Sequence, residues 1–190
     1  MAAFSLIELL LVLGVAATIV TVSIPRFAAS IDEFRAAGAA RYVSARLQQA
    51  RTRAIARNVD VAMRITRDAR GYVVWTFEDD NRNGVLTRDI QDGIDLPVGP
   101  AERLTDQFPG VDFGALPAIP GVEGSTPPGT DPIRLGAADS VTFTPVGTAT
   151  AGSLYIRGRG SVQYVVRVYG ETGRTRILRY NTRTRTWFTS

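Results

Sequence analysis

Glu8 is the only charged residue in the run from Phe4 to Ile24, FSLIELLLVLGVAATIVTVSI, in which every other side chain is apolar or small. At roughly 1.5 Å per residue a helix of that length reaches about 30 Å, the thickness of a bilayer's hydrocarbon core. The run predicts a membrane-crossing helix, and a lone carboxylate near its start needs a cation to offset the cost of burial. The least costly cation is a free α-amine at Phe4, which cleavage between Ala3 and Phe4 would create on the same or a neighbouring chain. An uncleaved signal anchor, or a signal peptide removed after Val15-Ala16-Ala17, would also explain the apolar run. Neither explains Glu8.

The rest of the chain is long enough for one globular domain with its own core. Cysteine and histidine are absent, which excludes disulfide staples, Cys- or His-dependent nucleophile machinery and ordinary zinc sites. All 22 basic residues are arginine, a usage that fits either a G- and C-rich genome or anion binding. The charge is unevenly spread: residues 1–70 carry ten Arg and five acids, 71–140 four and twelve, 141–190 eight and one. An acidic middle between two basic ends is expected to face basic surface, its own or a neighbour's.

The Ala- and Arg-rich stretch from Arg26 to Asn58 lacks proline and continues the helix. Phe27, Ile31 and Phe34 form one apolar stripe and Val43, Leu47, Ala50 and Ala54 another, about 180° apart at 100° per residue. One stripe suits packing against other chains, the other burial against this chain's own sheet, with Gly38 between them as a candidate bend. Residues 59–65 and 72–77 read as a hairpin. From Pro97 to about residue 139 the chain holds eight of its ten prolines and shows no sustained period, which predicts a long surface loop. Five short β-rich runs follow between Ser140 and Phe188. The expected class is α+β: a long N-terminal helix on an antiparallel sheet or small sandwich, divided as 1–3, 4–25, 26–58 and 59–190.

Asp79, Asn81, Asn83 and Asp89 offer oxygen ligands around the turn glycine Gly84, the opening of a calcium loop. Ile90 occupies the twelfth position, where a bidentate Glu belongs, and an Asn-Gly turn is the competing reading. Other than calcium there, no cofactor is expected. Arg174, Arg176, Arg179, Arg183 and Arg185 crowd the C-terminus. They fit a phosphate backbone, with Tyr180, Trp187 or Phe188 for stacking, a solvated strand edge that discourages aggregation, or a surface that pairs with the acidic 71–140 segment of this or a neighbouring subunit.

Ala3-Phe4-Ser5-Leu6-Ile7-Glu8-Leu9-Leu10 with Pro25 resembles the N-terminus of type IV pilins and type II secretion pseudopilins. Phe143-Thr144-Pro145 with Gly147 and Gly152, then Gly173-Arg174-Thr175-Arg176-Ile177, is similar to the GspH/FimT branch. The resemblance implies removal of the leader by a prepilin peptidase after Ala3 and N-methylation of Phe4. It also implies that Glu8 registers the subunit in a helical filament of pilins or pseudopilins, and that Pro25 kinks the helix. A single-pass inner-membrane location follows, with the C-terminal domain in the periplasm and lipid around the anchor. Two functions stand open: a structural minor (pseudo)pilin for protein secretion or pilus assembly, or a FimT-like minor pilin whose C-terminal arginines bind DNA for uptake. Neither is an enzyme.

Overall fold

The computed structural model describes residues 5–136 and 138–190, with the backbone alone for residues 20–29. A single helix, α1, runs 52 residues from Leu6 to Arg57, through Pro25. It ends where the sequence expects: Asn58 takes a left-handed conformation (φ 56°, ψ 41°) and its N–H bonds back to the Ala54 carbonyl, a cap that asparagine tolerates.

The strands form two antiparallel sheets. β1 (Val61–Asp68) pairs with β2 (Gly71–Glu78) as the expected hairpin, and β5 (Ser140–Phe143) pairs with the other edge of β1. The larger sheet is built from β6 (Gly152–Arg157), β7 (Gln163–Val168), β8 (Thr175–Asn181) and β9 (Thr186–Thr189). Two short strands, β3 (Asp112–Phe113) and β4 (Ile133–Arg134), pair along the remaining edge of β6.

α1 lies across both sheets with the face that carries Ala36, Ala39, Ala40, Val43, Leu47, Ala50 and Ala54, all buried. The second apolar stripe predicted from sequence faces away: Phe34 is 75% exposed and Ile31 48%, and the Phe27 side chain lies outside the described ones. Gly38 is a contact point rather than a bend. A Cβ there would stand 3.0 Å from the Phe108 ring, so its absence lets the helix seat against that ring.

The central strands β6 and β7 are buried on both faces, and their middles therefore read as short continuous apolar runs. Leu154, Ile156, Tyr164, Val166 and Val168 point to the helix, whereas Tyr155, Val165, Leu178 and Tyr180 point to the opposite side, where Ile119 and Val122 cover them. That cover gives the long surface loop expected over 97–139 a structural role. Its first part pairs with the free edge of β2, through Val98 N–H to Thr76 O (2.7 Å) and reciprocal bonds between Val74 and Glu102. Its middle supplies β3 and the outer cover, and its end supplies β4. Prolines and glycines hide this role from periodicity, because each short piece is set by the sheet it meets.

Gln163, fully buried, ties the cover down. Its amide nitrogen lies 3.0 Å from the carbonyl oxygens of Gly114 and Ile156, and its oxygen accepts the Leu116 N–H at 2.9 Å. Gln163→Leu strands buried backbone groups, and the expected loss is about 1–3 kcal/mol, read by denaturant unfolding, with faster proteolysis within 115–130. A second tie joins helix and hairpin: Arg53 Nε and Arg57 Nε donate to the two oxygens of Glu78 at 2.7 and 3.1 Å. Burial alone would raise the Glu78 pKa, but the two guanidinium partners outweigh it and hold the carboxyl below its ordinary value. A depressed folded pKa gives stability that is present above the unfolded value and lost as pH falls through the folded one. Unfolding free energy is expected to fall as pH drops below the ordinary glutamate range, and Glu78→Gln is expected to flatten that limb.

Candidate functional site

Three groups of residues carried functional expectations, and the structure treats them differently. At the N-terminus, Ala3 and Phe4 lie outside the described residues. Glu8 sits exposed in the first turn of α1, its N–H bonded to the Ser5 carbonyl at 3.0 Å. A carboxylate is favoured there by the partial positive charge of the helix N-terminus. Around it, Leu6, Ile7, Leu9, Leu10, Leu11, Val12, Leu13, Val15 and Ile19 are between 52% and 77% exposed. A helix segment that is apolar on all sides and exposed on all sides is built to be covered by something else. Among the described residues no helix is long and apolar enough to cross a membrane; the described side chains of the apolar run reach only from residue 5 to 19, short of the roughly 20 that a span requires. α1 continues as helix through Pro25, whose side chain is not among those described.

The five C-terminal arginines do not share one surface. Alternation along β8 sends Thr175, Ile177 and Arg179 to the helix side and Arg176, Leu178 and Tyr180 to the other. Arg179 forms an ion pair with Glu33 of α1 and lies 5.8 Å from the Phe188 ring centroid. Arg176 is 3.5 Å from Glu123 and bonds Thr189. Arg174 precedes β8, while Arg183 and Arg185 lie in the β8–β9 turn. Arg176 and Arg179 are therefore separated by the sheet itself and neutralised by different glutamates. Trp187 is also engaged: its indole N–H donates to the Pro120 carbonyl at 3.1 Å and its ring packs on Tyr155 and Tyr180. Glu123 belongs to the acidic middle that was expected to face basic surface, whereas Glu33 was not anticipated, because it stands at no local spacing from Arg179.

The acidic turn does come together. Asp79 Oδ1 accepts the Asn83 N–H at 3.2 Å and Asp79 Oδ2 the Gly84 N–H at 2.8 Å. The amides of Asn81 and Asn83 both donate to Asp89 Oδ2, at 3.0 and 2.8 Å. These donors, Asn83 first, hold the Asp89 carboxyl below its usual range. Asp95, one of the acids that follow the turn, is buried and accepts the N–H groups of Asp80 and Leu86; burial pushes its carboxyl up. Asp79, Asn81 and Asp89, three of the four residues expected as calcium ligands, thus receive N–H donors from the loop itself. Among the described residues, no group of three or more acidic side chains is placed to hold a metal ion. The short α2 (Thr87–Gln91) and the turn before it are shaped by these bonds.

The arrangement as a whole offers distinct surfaces. It comprises an uncovered apolar arm, a domain rigidly seated on the same helix, an acidic turn near the helix's C-terminal end and a basic turn toward its N-terminal part.

Comparison with known proteins follows the same lines. One solved structure that resembles the chain is the minor pseudopilin EpsH from the type 2 secretion system of Vibrio cholerae. The two are 18% identical, with a TM-score of 0.48, over 76% of this chain and 97% of that one. No curated protein sequence matches the chain. The sequence profile of the family described as type II transport protein GspH matches residues 39–173, from the buried face of α1 to the turn before β8. With well over half of its length matched, the chain belongs to the GspH family of type II transport proteins.

Proposed function

We infer that the chain is a minor pseudopilin, a structural subunit that joins a type II secretion pseudopilus through α1 and presents its β domain on the outside. The observation that carries this reading is the division of α1. Over its described side chains, up to residue 19, the N-terminal arm is apolar on every side and exposed, while from Ala36 onward one face is sealed against the domain. The arm has to be covered twice in such a life, first by lipid and then by the arms of neighbouring subunits. Glu8, which forms no ion pair among the described residues, would meet the N-terminal amine of a neighbour.

In this reading a prepilin peptidase cuts after Ala3 and methylates Phe4, the arm anchors the subunit once in the inner membrane, and the domain stands in the periplasm. Exposed Phe34 and Ile31 extend the assembly surface beyond the membrane. The role is mechanical, and no reaction is assigned to the chain.

Full-length protein produced with a prepilin peptidase is expected to yield a mature chain that begins with N-methylated Phe4, read by mass. An intact leader, or a cut elsewhere, would overturn the processing step. Phe34→Ala is expected to leave unfolding free energy within about 0.5 kcal/mol of the parent, as for exposed sites in general. Glu8→Val is expected to fold alike, while both variants are recovered less with sheared pseudopili.

A further inference from the structure

Strand β8 descends along α1, and its contacts fix how far. Gln48 Nε2 donates to the Gly173 carbonyl at 3.1 Å, Ser44 Oγ lies 2.6 Å from Thr175 Oγ1, and Glu33 pairs with Arg179. From Gln48 to Glu33 the helix covers about 22 Å at roughly 1.5 Å per residue. From Gly173 to Arg179 the strand covers about 20 Å at roughly 3.3 Å per residue. The two run side by side toward the helix N-terminus. Continued past Asn181, the strand carries the β8–β9 turn up to about 13 Å beyond Arg179. That is the level of about residue 24 of α1, where the apolar run ends.

The turn is firmly made. Asn181 Oδ1 accepts the N–H groups of Arg183 and Thr184 at 2.9 and 3.2 Å, Asn181 pairs with Thr186 across the hairpin, and Arg185 takes the left-handed conformation (φ 56°) that closes a short hairpin loop. Arg183 and Arg185 are exposed. In contrast to Arg176 and Arg179, neither makes an ion pair among the described residues. The acids that could neutralise them are engaged elsewhere, Glu33 with Arg179 and Asp32 with Arg35. The acidic turn lies at the far end of α1, beside Arg53 and Arg57.

We propose that Arg183 and Arg185 rest the β8–β9 turn on anionic phospholipid headgroups of the membrane that holds α1, orienting the domain before the subunit leaves for a filament. This rests on the membrane-anchored reading above. Charge selects the partner, because two uncompensated cations at the depth where the apolar helix emerges meet phosphate-bearing headgroups. A nucleic acid is disfavoured because Arg176 and Arg179 are turned to opposite faces of the sheet and paired with glutamates, while Arg174 stands at the other end of β8 from the turn. Two arginines at an anionic surface favour the docked state roughly 25-fold, about fivefold each, and less as salt rises.

The chain has no cysteine, so single labels are unambiguous. Full-length protein with Thr182→Cys or Val12→Cys, each spin-labelled, is reconstituted in phosphatidylcholine vesicles with or without phosphatidylglycerol, and relaxation by a nickel chelate on the lipid headgroups is measured. The expected result is headgroup contact at residue 182 only with phosphatidylglycerol. That contact is expected to be weakened by salt and to fall roughly 25-fold in docked-to-undocked ratio in the Arg183→Gln, Arg185→Gln variant. Equal relaxation in both vesicles with Val12 inside the bilayer would overturn the docking and leave the anchoring intact. A Val12 label in water would overturn both. Immobilisation of the 182 label by double-stranded DNA, with no response to anionic lipid, would assign the turn to nucleic acid and overturn the proposal.

Discussion

The close seating of α1 on the two sheets is the interaction on which the rest depends. Its buried face is made largely of alanine, with Val43 and Leu47 as the bulky members and Gly38 against Phe108. Small side chains let the helix axis approach the strands, so that one face seals sheets which do not pair with each other directly. Because the same helix continues without interruption back to Leu6, whatever holds the arm also fixes the position and rotation of the domain. Ion pairs reinforce the seam at both ends, Glu33 with Arg179 and Glu78 with Arg53 and Arg57.

The larger sheet depends on a second layer. With the helix on one side, its other face would leave Tyr155, Val165, Leu178 and Tyr180 open to water, and residues 115–122 close it. The cover has little regular structure of its own, so its backbone polar groups need partners from outside, and Gln163 supplies several of them. One buried amide thus links the strand at the centre of the sheet to the segment that protects it. The edge of β2 is closed in the same manner by residues 97–102, which removes a row of unpaired backbone groups from the surface.

Much of the fold was legible along the chain. The long helix, its end at Asn58, the first hairpin and the five C-terminal strands each rest on local signals: periodicity, capping and turn residues. The two opposed stripes of α1 were legible for the same reason, since a helix's faces are fixed by spacing alone. The role of residues 97–139 was not legible because their pieces are two to four residues long, and such pieces acquire structure only from the sheet they join. The acidic turn was found by its spacing, but spacing could not tell whether Asp79 and Asp89 would be left free for a cation or be occupied by the loop's own N–H groups.

The sequence by itself determined that an apolar arm carrying Glu8 precedes a domain without cysteine or histidine, and that arginines crowd the C-terminus. It could do so because composition and periodicity are properties of a line of residues. Only the tertiary structure decided how those arginines divide. The pleat of β8 sends Arg176 and Arg179 to opposite faces, Glu123 and Glu33 arrive from distant parts of the chain to neutralise them, and the descent of the strand along α1 carries Arg183 and Arg185 to the base of the domain. Those outcomes depend on which strand lies against which part of the helix, and that is set by the packing of the core rather than by any local pattern.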